Sequence, residues 1–363
     1  GKKRVSLCLL NNMFFTQLLM AEKKRIHFII NPISGTQKKD QIIADIGNYL
    51  DTTRFDYEIK YTQYAGHAAL IAREAADNGI DIVVAIGGDG TVNEVARSLV
   101  HRQTALAIIP CGSGNGLARH LEIPIDPVGA IQVLNECVIH ELDYGKINNI
   151  PFFCTCGIGF DAFVSSKFAE AGKRGFLTYI ENTLREGLSY KPDTYTITID
   201  DNKQMVYKAF LIACANASQY GNNAYIAPNA SMSDGLMDVT IMEPISVLEA
   251  PQIAIQLFNR TIDHNSKIKT FRCKKVRIER AAPGVIHFDG DPVMVGKNVD
   301  VILVEKGLNV VINSHTTPQP PLLRMFSNFY SDLNQFRDEI IEKQKRLIRS
   351  HQEHVRKSLK RLK

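Results

Sequence analysis

The 363-residue chain lacks any cysteine pattern that would store covalent or metal chemistry. Its seven cysteines are odd in number and scattered, and only Cys154 and Cys156 stand close together, at strand spacing. A disulfide framework and a zinc cluster are thereby excluded, and a reducing compartment is expected. A bilayer-spanning run is also missing. The opening "GKKRVSLCLLNNMFFTQLLM" has the basic start and apolar body of a signal peptide, but Asn11, Asn12, Thr16 and Gln17 break it, and it is too short to cross a membrane. Residues 1–22 read as a leader, non-native or disordered, with Met20 as the start of the chain proper, and the alternatives are a membrane-surface segment or a true signal. Internal repeats and low-complexity linkers are absent, which excludes solenoids and tethered arrays. The body carries no excess of positive charge either. Of the net charge of +5, residues 337–363 supply +6 from ten Lys/Arg and four Asp/Glu, so the remainder is about −1. A nucleic-acid-binding body is not expected.

What is present is the composition of a globular enzyme, 45% hydrophobic and 22% charged, with length for two domains. In the first third, apolar runs at 25–32, 55–62, 81–87 and 105–110 alternate with helical patterns at 37–50, 67–78 and 92–101. Strands without a wet side predict a parallel sheet covered on both faces. From about residue 138 the runs become short, many alternate in and out, and turns separate them. They predict an antiparallel, β-sandwich-like domain, with helices near 161–190 and 245–259. The expected organisation is a leader (1–22), an α/β nucleotide-binding domain (23–137), a β-rich domain (138–317) and a return segment with a basic helical tail (318–363). In the tail, Leu322, Phe326, Phe329, Leu333, Phe336 and Ile340 recur at helical spacing. That apolar stripe beside a basic end fits an anionic membrane surface, and it fits a packing seam equally well.

Three loops carry the chemistry. "DIVVAIGGDGTVNEVARSL" (81–99) ends a core strand on Gly87 and Gly88, then gives Asp89, Gly90 and Thr91. Glycine lets backbone N–H groups approach a ligand, and a helix N-terminus offers them to an anion such as phosphate. Thr91 with Glu94 three residues on has the spacing of a capping box. An acid beside phosphate suits a role with Mg²⁺ or a proton. "INPISG" (30–35) closes the first strand and "IPCGSGNGLAR" (109–119) closes the fourth, with Gly112, Ser113 and Asn115 in the latter. In a doubly wound sheet these loops line one crevice, so a shared phosphate cradle is expected.

The set NPxSG, GGDGTxNEV and P-x-G-[ST]-x-N resembles the catalytic domain of the diacylglycerol and sphingosine lipid kinases, the soluble bacterial diacylglycerol kinases above all. The resemblance covers about 23–324 and implies an N-terminal ATP-binding domain, a C-terminal lipid-facing β-sandwich and a site between them. It implies nucleotide contacts from Asn31, Pro32, Ser34, Gly35, Thr62, Gly87, Gly88, Asp89, Gly90, Thr91, Asn93 and Ser113, with Gly112 and Asn115 in the same cradle. The third loop reads "GSGNG", closer to sphingoid-base kinases than to diacylglycerol kinases, which leaves the acceptor lipid open. "HFDGDP" (287–292) carries a favoured Asp-Gly turn pair. The family pattern there is Asp-Gly-Glu, whose last acid takes the acceptor proton. It falls on Asp291, one methylene shorter, with Asp289 beside it. "PNASMSDGLMDV" (228–239) resembles the family's Mg²⁺ loop, with the Asp234 carboxylate and the carbonyls of Ser231 and Leu236 as ligands, and its alternative reading is an Asp-Gly turn. Asp161 in "GIGFDA" either caps a helix or touches a lipid head group. His67 reads as structural.

The expectation is an ATP- and Mg²⁺-dependent kinase, cytoplasmic and peripheral to an anionic membrane, that phosphorylates a hydroxyl of diacylglycerol or a sphingoid base. A homodimer is compatible with it. The alternatives are a kinase for a soluble acceptor such as NAD and a non-catalytic nucleotide-binding protein that docks on lipid.

Overall fold

The computed structural model describes residues 23–35, 38–170, 187, 190–246 and 248–315. The expectations for the leader, the tail and most of 171–189 lie outside the described residues. The first third runs β1 (Lys24–Ile30), α1 (Lys39–Tyr49), β2 (Phe55–Tyr61), α2 (His67–Asp77), β3 (Ile82–Gly87), α3 (Asp89–Leu99), β4 (Ala105–Pro110), α4 (Gly116–His120) and α5 (Pro127–Glu136). β1 pairs in parallel with β2 and β3, and β3 with β4, giving the order β2-β1-β3-β4. Every residue of β3 and β4 is buried, as their unbroken apolar runs require when helices cover both faces. Parallel pairing brings the carboxyl ends of β1, β3 and β4 to one edge, and the three glycine-containing loops with them. α5 shows the local code plainly: Asp126 caps it by accepting from the Gly129 N–H at 2.7 Å, and Pro127 takes its first position.

The second part runs β5 (Ile139–Ile147), β6 (Ile150–Phe152), β7 (Thr155–Gly159), α6 (Phe160–Glu170), β8 (Asp193–Ile199), β9 (Lys203–Ala209), β10 (Leu211–Ala215), β11 (Met237–Met242), α7 (Ala250–Phe258), β12 (Ile268–Cys273), β13 (Lys275–Arg280), β14 (Gly284–Phe288), β15 (Asp291–Val295) and β16 (Asn298–Val311). An antiparallel sheet of order β12-β11-β10-β7-β14-β15 packs against β16-β13-β8-β9. Cys156, Ile158, Ile212, Val239 and Ile286 face Ile197, Val276, Ile278, Val299 and Val301 between them. This is the expected sandwich. One feature was not expected: β16 also pairs with β4, at Val310–Leu106, so one ten-stranded sheet runs from the first domain into the second. β5 lies along β16 as well.

Candidate active site

The three loops do converge, and their glycines are where they touch. A Cβ on Gly112 would stand 2.6 Å from the Gly88 Cα, so the second and third loops meet backbone to backbone. Gly35 has φ +63°, and a Cβ there would overlap the Cys111 carbonyl, which brings the first loop against the third. The Asn31 amide donates to Thr91 Oγ1 at 3.1 Å, tying the first loop to the second, and the Ser34 hydroxyl donates to the Asn31 carbonyl at 3.0 Å. Thr62 ends β2 buried beside them, its N–H donating to the Ile30 carbonyl. Gly87 closes β3, Gly90 lies in the first turn of α3 and Ser113 is on the third loop.

Asp89 is the first residue of α3, where an anion suits the positive end of the helix. Its carboxylate accepts from the backbone N–H groups of Asn115, at 2.9 Å, and Gly116, at 2.6 Å. The acid therefore caps α4 from across the cradle. Burial raises its pKa, against the two N–H donors that pull it down. Each oxygen keeps a lone pair after those bonds, so Asp89 fits a second contact, to Mg²⁺ or its water. Asn115 (φ +51°) is turned inward: its side chain accepts from the Gly112 N–H and donates to the Gly112 carbonyl, at 2.9 and 2.7 Å. Asn93 is buried, with its Nδ2 lacking a hydrogen-bond partner among the described residues.

The capping box is overturned. α3 starts at Asp89 with Gly88 as N-cap, so Thr91 is already inside the helix. Glu94 instead caps α2: its Oε1 accepts from the Gly66 N–H at 2.9 Å and its Oε2 from the Ala68 N–H at 3.2 Å. His67 is structural as expected. It accepts from the Gln63 N–H and stacks on Tyr64.

Asp289 and Gly290 form the two-residue turn between β14 and β15, with φ +50° and +88° and Phe288 opposite Asp291. The Asp289 carboxylate folds back and accepts from the N–H groups of Phe153 (2.8 Å), Cys154 (2.7 Å) and Thr155 (3.1 Å). Burial pushes its carboxyl up to about 6, with these three donors opposing the shift. Asp291 differs: its side chain is 58% exposed, and its Oδ2 lies 3.7 Å from Nη2 of Arg97 on α3. The Arg97 guanidinium covers the Phe288 ring at 4.7 Å. The last turn of α3 and the two-acid turn thus meet at Arg97. Sequence reasoning passed over Arg97, because an Arg in the last turn of a helix reads as an ordinary dipole partner.

Asp161 is buried near the start of α6. It accepts from the Tyr220 hydroxyl at 3.2 Å and pairs with His287 Nε2 at 3.0 Å. Its Oδ1 also accepts from the Ala162 N–H at 2.8 Å in the first turn of α6. Tyr220 and His287 carried no signal of this pairing. In the third expected site, Asp234 Oδ1 accepts from the Leu236 N–H at 3.1 Å while Oδ2 pairs with Arg272, and the Ser231 hydroxyl bonds Ser233. In this arrangement Asp234 takes part in an ion-paired turn with the partly exposed Arg272. Among the described residues no group of three or more His, Cys, Asp or Glu side chains could hold a metal, and no helix is long and apolar enough to cross a membrane.

Residues 25–147 match the family model of the diacylglycerol kinase catalytic domain, and 154–312 that of the YegS C-terminal NAD kinase beta sandwich-like domain. A diacylglycerol kinase of Bacillus subtilis is 26% identical over 275 residues, covering 74% of this chain and 90% of that protein. One of Mycobacterium tuberculosis is 29% identical over 225 residues, covering 60% and 72%. A diacylglycerol kinase crystal structure from Bacillus anthracis str. Sterne has the same fold, with a TM-score of 0.64 at 21% identity over 81% of this chain and 98% of that one.

Proposed function

The chain belongs to the diacylglycerol kinase family, with the catalytic domain and the YegS-type β-sandwich-like domain in one polypeptide, and from that premise we propose that it is an ATP-dependent lipid kinase acting on a hydroxyl of diacylglycerol or a sphingoid base. One observation carries the reading. The glycines Gly35, Gly88 and Gly112 bring the three loops together, and the helix that starts there carries Arg97, whose Nη2 lies 3.7 Å from the Asp291 carboxylate.

Phosphoryl transfer needs positioning and charge neutralisation more than covalent help. In this reading the cradle's backbone N–H groups and the start of α3 hold the nucleotide phosphates. Mg²⁺ arriving with ATP would neutralise phosphate charge, and Asp89 is the residue that would hold it. The lipid hydroxyl oxygen bonds to the γ-phosphorus, the bond from that phosphorus to the β–γ bridging oxygen breaks, and ADP leaves. The hydroxyl proton passes to Asp291. Asp289 is the less suitable acceptor, since three backbone N–H groups hold its carboxylate in place, whereas the Asp291 side chain is 58% exposed. The basic tail, +6 over residues 337–363, is proposed to bring the enzyme to anionic membrane.

The test is Asp291→Asn assayed with labelled ATP and lipid micelles. A base acts in the transition state, so kcat should fall about 10²-fold or more with ATP affinity unchanged. Retention of wild-type kcat would remove Asp291 from the mechanism.

A further inference from the structure

The Nε and Nη2 atoms of Arg97 are both buried and have no hydrogen-bond partner among the described residues. These two atoms form the edge of a guanidinium that matches the two oxygens of a carboxylate. The Arg97 side chain is 27% exposed as a whole, but this edge is withdrawn from water, and a buried donor edge without hydrogen bonds is costly unless something completes it. Phe288 lies under the guanidinium plane at 4.7 Å, which fixes the ring-facing side and leaves the edge to meet other groups. Asp291 Oδ2 stands 3.7 Å from Nη2, beyond hydrogen-bonding distance by less than an ångström. Burial raises the pKa of the Asp289 carboxyl of the same turn, and the guanidinium is the weakest of the groups that oppose that rise.

We infer that Arg97 is a positioning residue for Asp291: when the cleft tightens over its substrates, the Nε–Nη2 edge completes its pair with the Asp291 carboxylate and fixes the oxygen that faces the acceptor hydroxyl. This rests on the assignment of Asp291 as the proton acceptor. Arg97 and Asp291 come from different domains, so the pair forms only when the domains are in register. The completed acid is thereby tied to the closed cleft. Phe288 serves as the platform that keeps the long side chain from swinging out.

The experiment is a kinetic double-mutant cycle on the full chain with Arg97→Gln, Asp291→Asn and both together, using labelled ATP and diacylglycerol or sphingoid-base micelles. Arg97→Gln alone should lower kcat about 10²-fold, the loss typical of a misplaced reacting group, and leave KM for ATP unchanged. In the Asp291→Asn background it should cost nothing further, because a residue acting through another is non-additive with it. Arg97→Lys, which keeps the charge but not the two-donor edge, should fold and recover only part of kcat. An equal loss from Arg97→Gln in both backgrounds would overturn the inference. So would a raised KM for ATP with kcat intact, which would make Arg97 a nucleotide ligand. Should Arg97→Gln fail to fold, wild-type kcat in Arg97→Lys would overturn it as well. Wild-type kcat in Asp291→Asn alone would instead defeat the assignment of Asp291, whatever Arg97 does.

Discussion

Asp289 and Asp291 sit two residues apart in one turn, and their surroundings divide the work between them. Asp289 holds three backbone N–H groups of the segment entering β7, so its carboxylate is a brace between β14 and the first turn of that strand. An amide oxygen in its place could serve some of those donors, but its NH₂ would face another. Asp289→Asn should therefore lose about 1–3 kcal/mol of stability, seen as an earlier urea midpoint. An unmoved midpoint would show the three bonds to be dispensable. The sequence told that both acids lie in a favoured Asp-Gly turn. It could not tell them apart, because the difference is made by residues 153–155, which are remote in sequence. The same limit hid Arg272 beside Asp234.

At the scale of elements, the strands and helices of the first domain were legible because burial on both faces of a parallel sheet leaves an unbroken apolar run. The start of α3 was not. Thr91 and Glu94 have capping-box spacing, yet Gly88 caps the helix, and Glu94 turns to the neighbouring α2. Local spacing and a tertiary partner competed for one carboxylate, and α2 had the greater need: its N-cap is Gly66, which has no side chain to satisfy the first N–H groups. Glu94→Ala should cost about 1 kcal/mol, the usual loss of a cap, measurable by urea unfolding. The α2 amides should exchange hydrogen faster. Unchanged exchange at Gly66 and Ala68 would show that water replaces the cap without loss.

Over the whole molecule, the two domains are joined by more than a linker. β16 carries the sheet from β4 into the sandwich, and α4 packs on the loop that follows β10. At that second junction the Ser218 N–H donates to His120 Nδ1 at 3.1 Å. Burial lowers the His120 pKa to about 4, and the Arg260 cation adds to it. A protonated imidazole could not accept that N–H. The unfolded chain, with a histidine near its ordinary 6.5, binds the proton more readily, so this group's contribution to stability is lost as pH falls from about 6.5 towards 4. Asp289, raised to about 6, works in the opposite direction over the same range. The comparison must therefore be between variants. Wild type minus His120→Gln should rise in stability with pH from 4 to 6.5 and then level off. A pH-independent difference would mean that His120 is not buried neutral. The continuity of the sheet explains why the sequence boundary at 137 describes a change of grammar and not a break in structure.

The central claim is that this cleft moves the γ-phosphoryl of ATP onto a lipid hydroxyl. It is tested most directly with γ-labelled ATP and the full chain, offered micelles of diacylglycerol, micelles of a sphingoid base, and NAD in parallel. The account predicts label in one of the lipids, none in NAD, and lipid labelling slowed about 10²-fold or more with Asp291→Asn. Label in NAD, or nucleotide binding with no lipid labelled by the wild type, would contradict it.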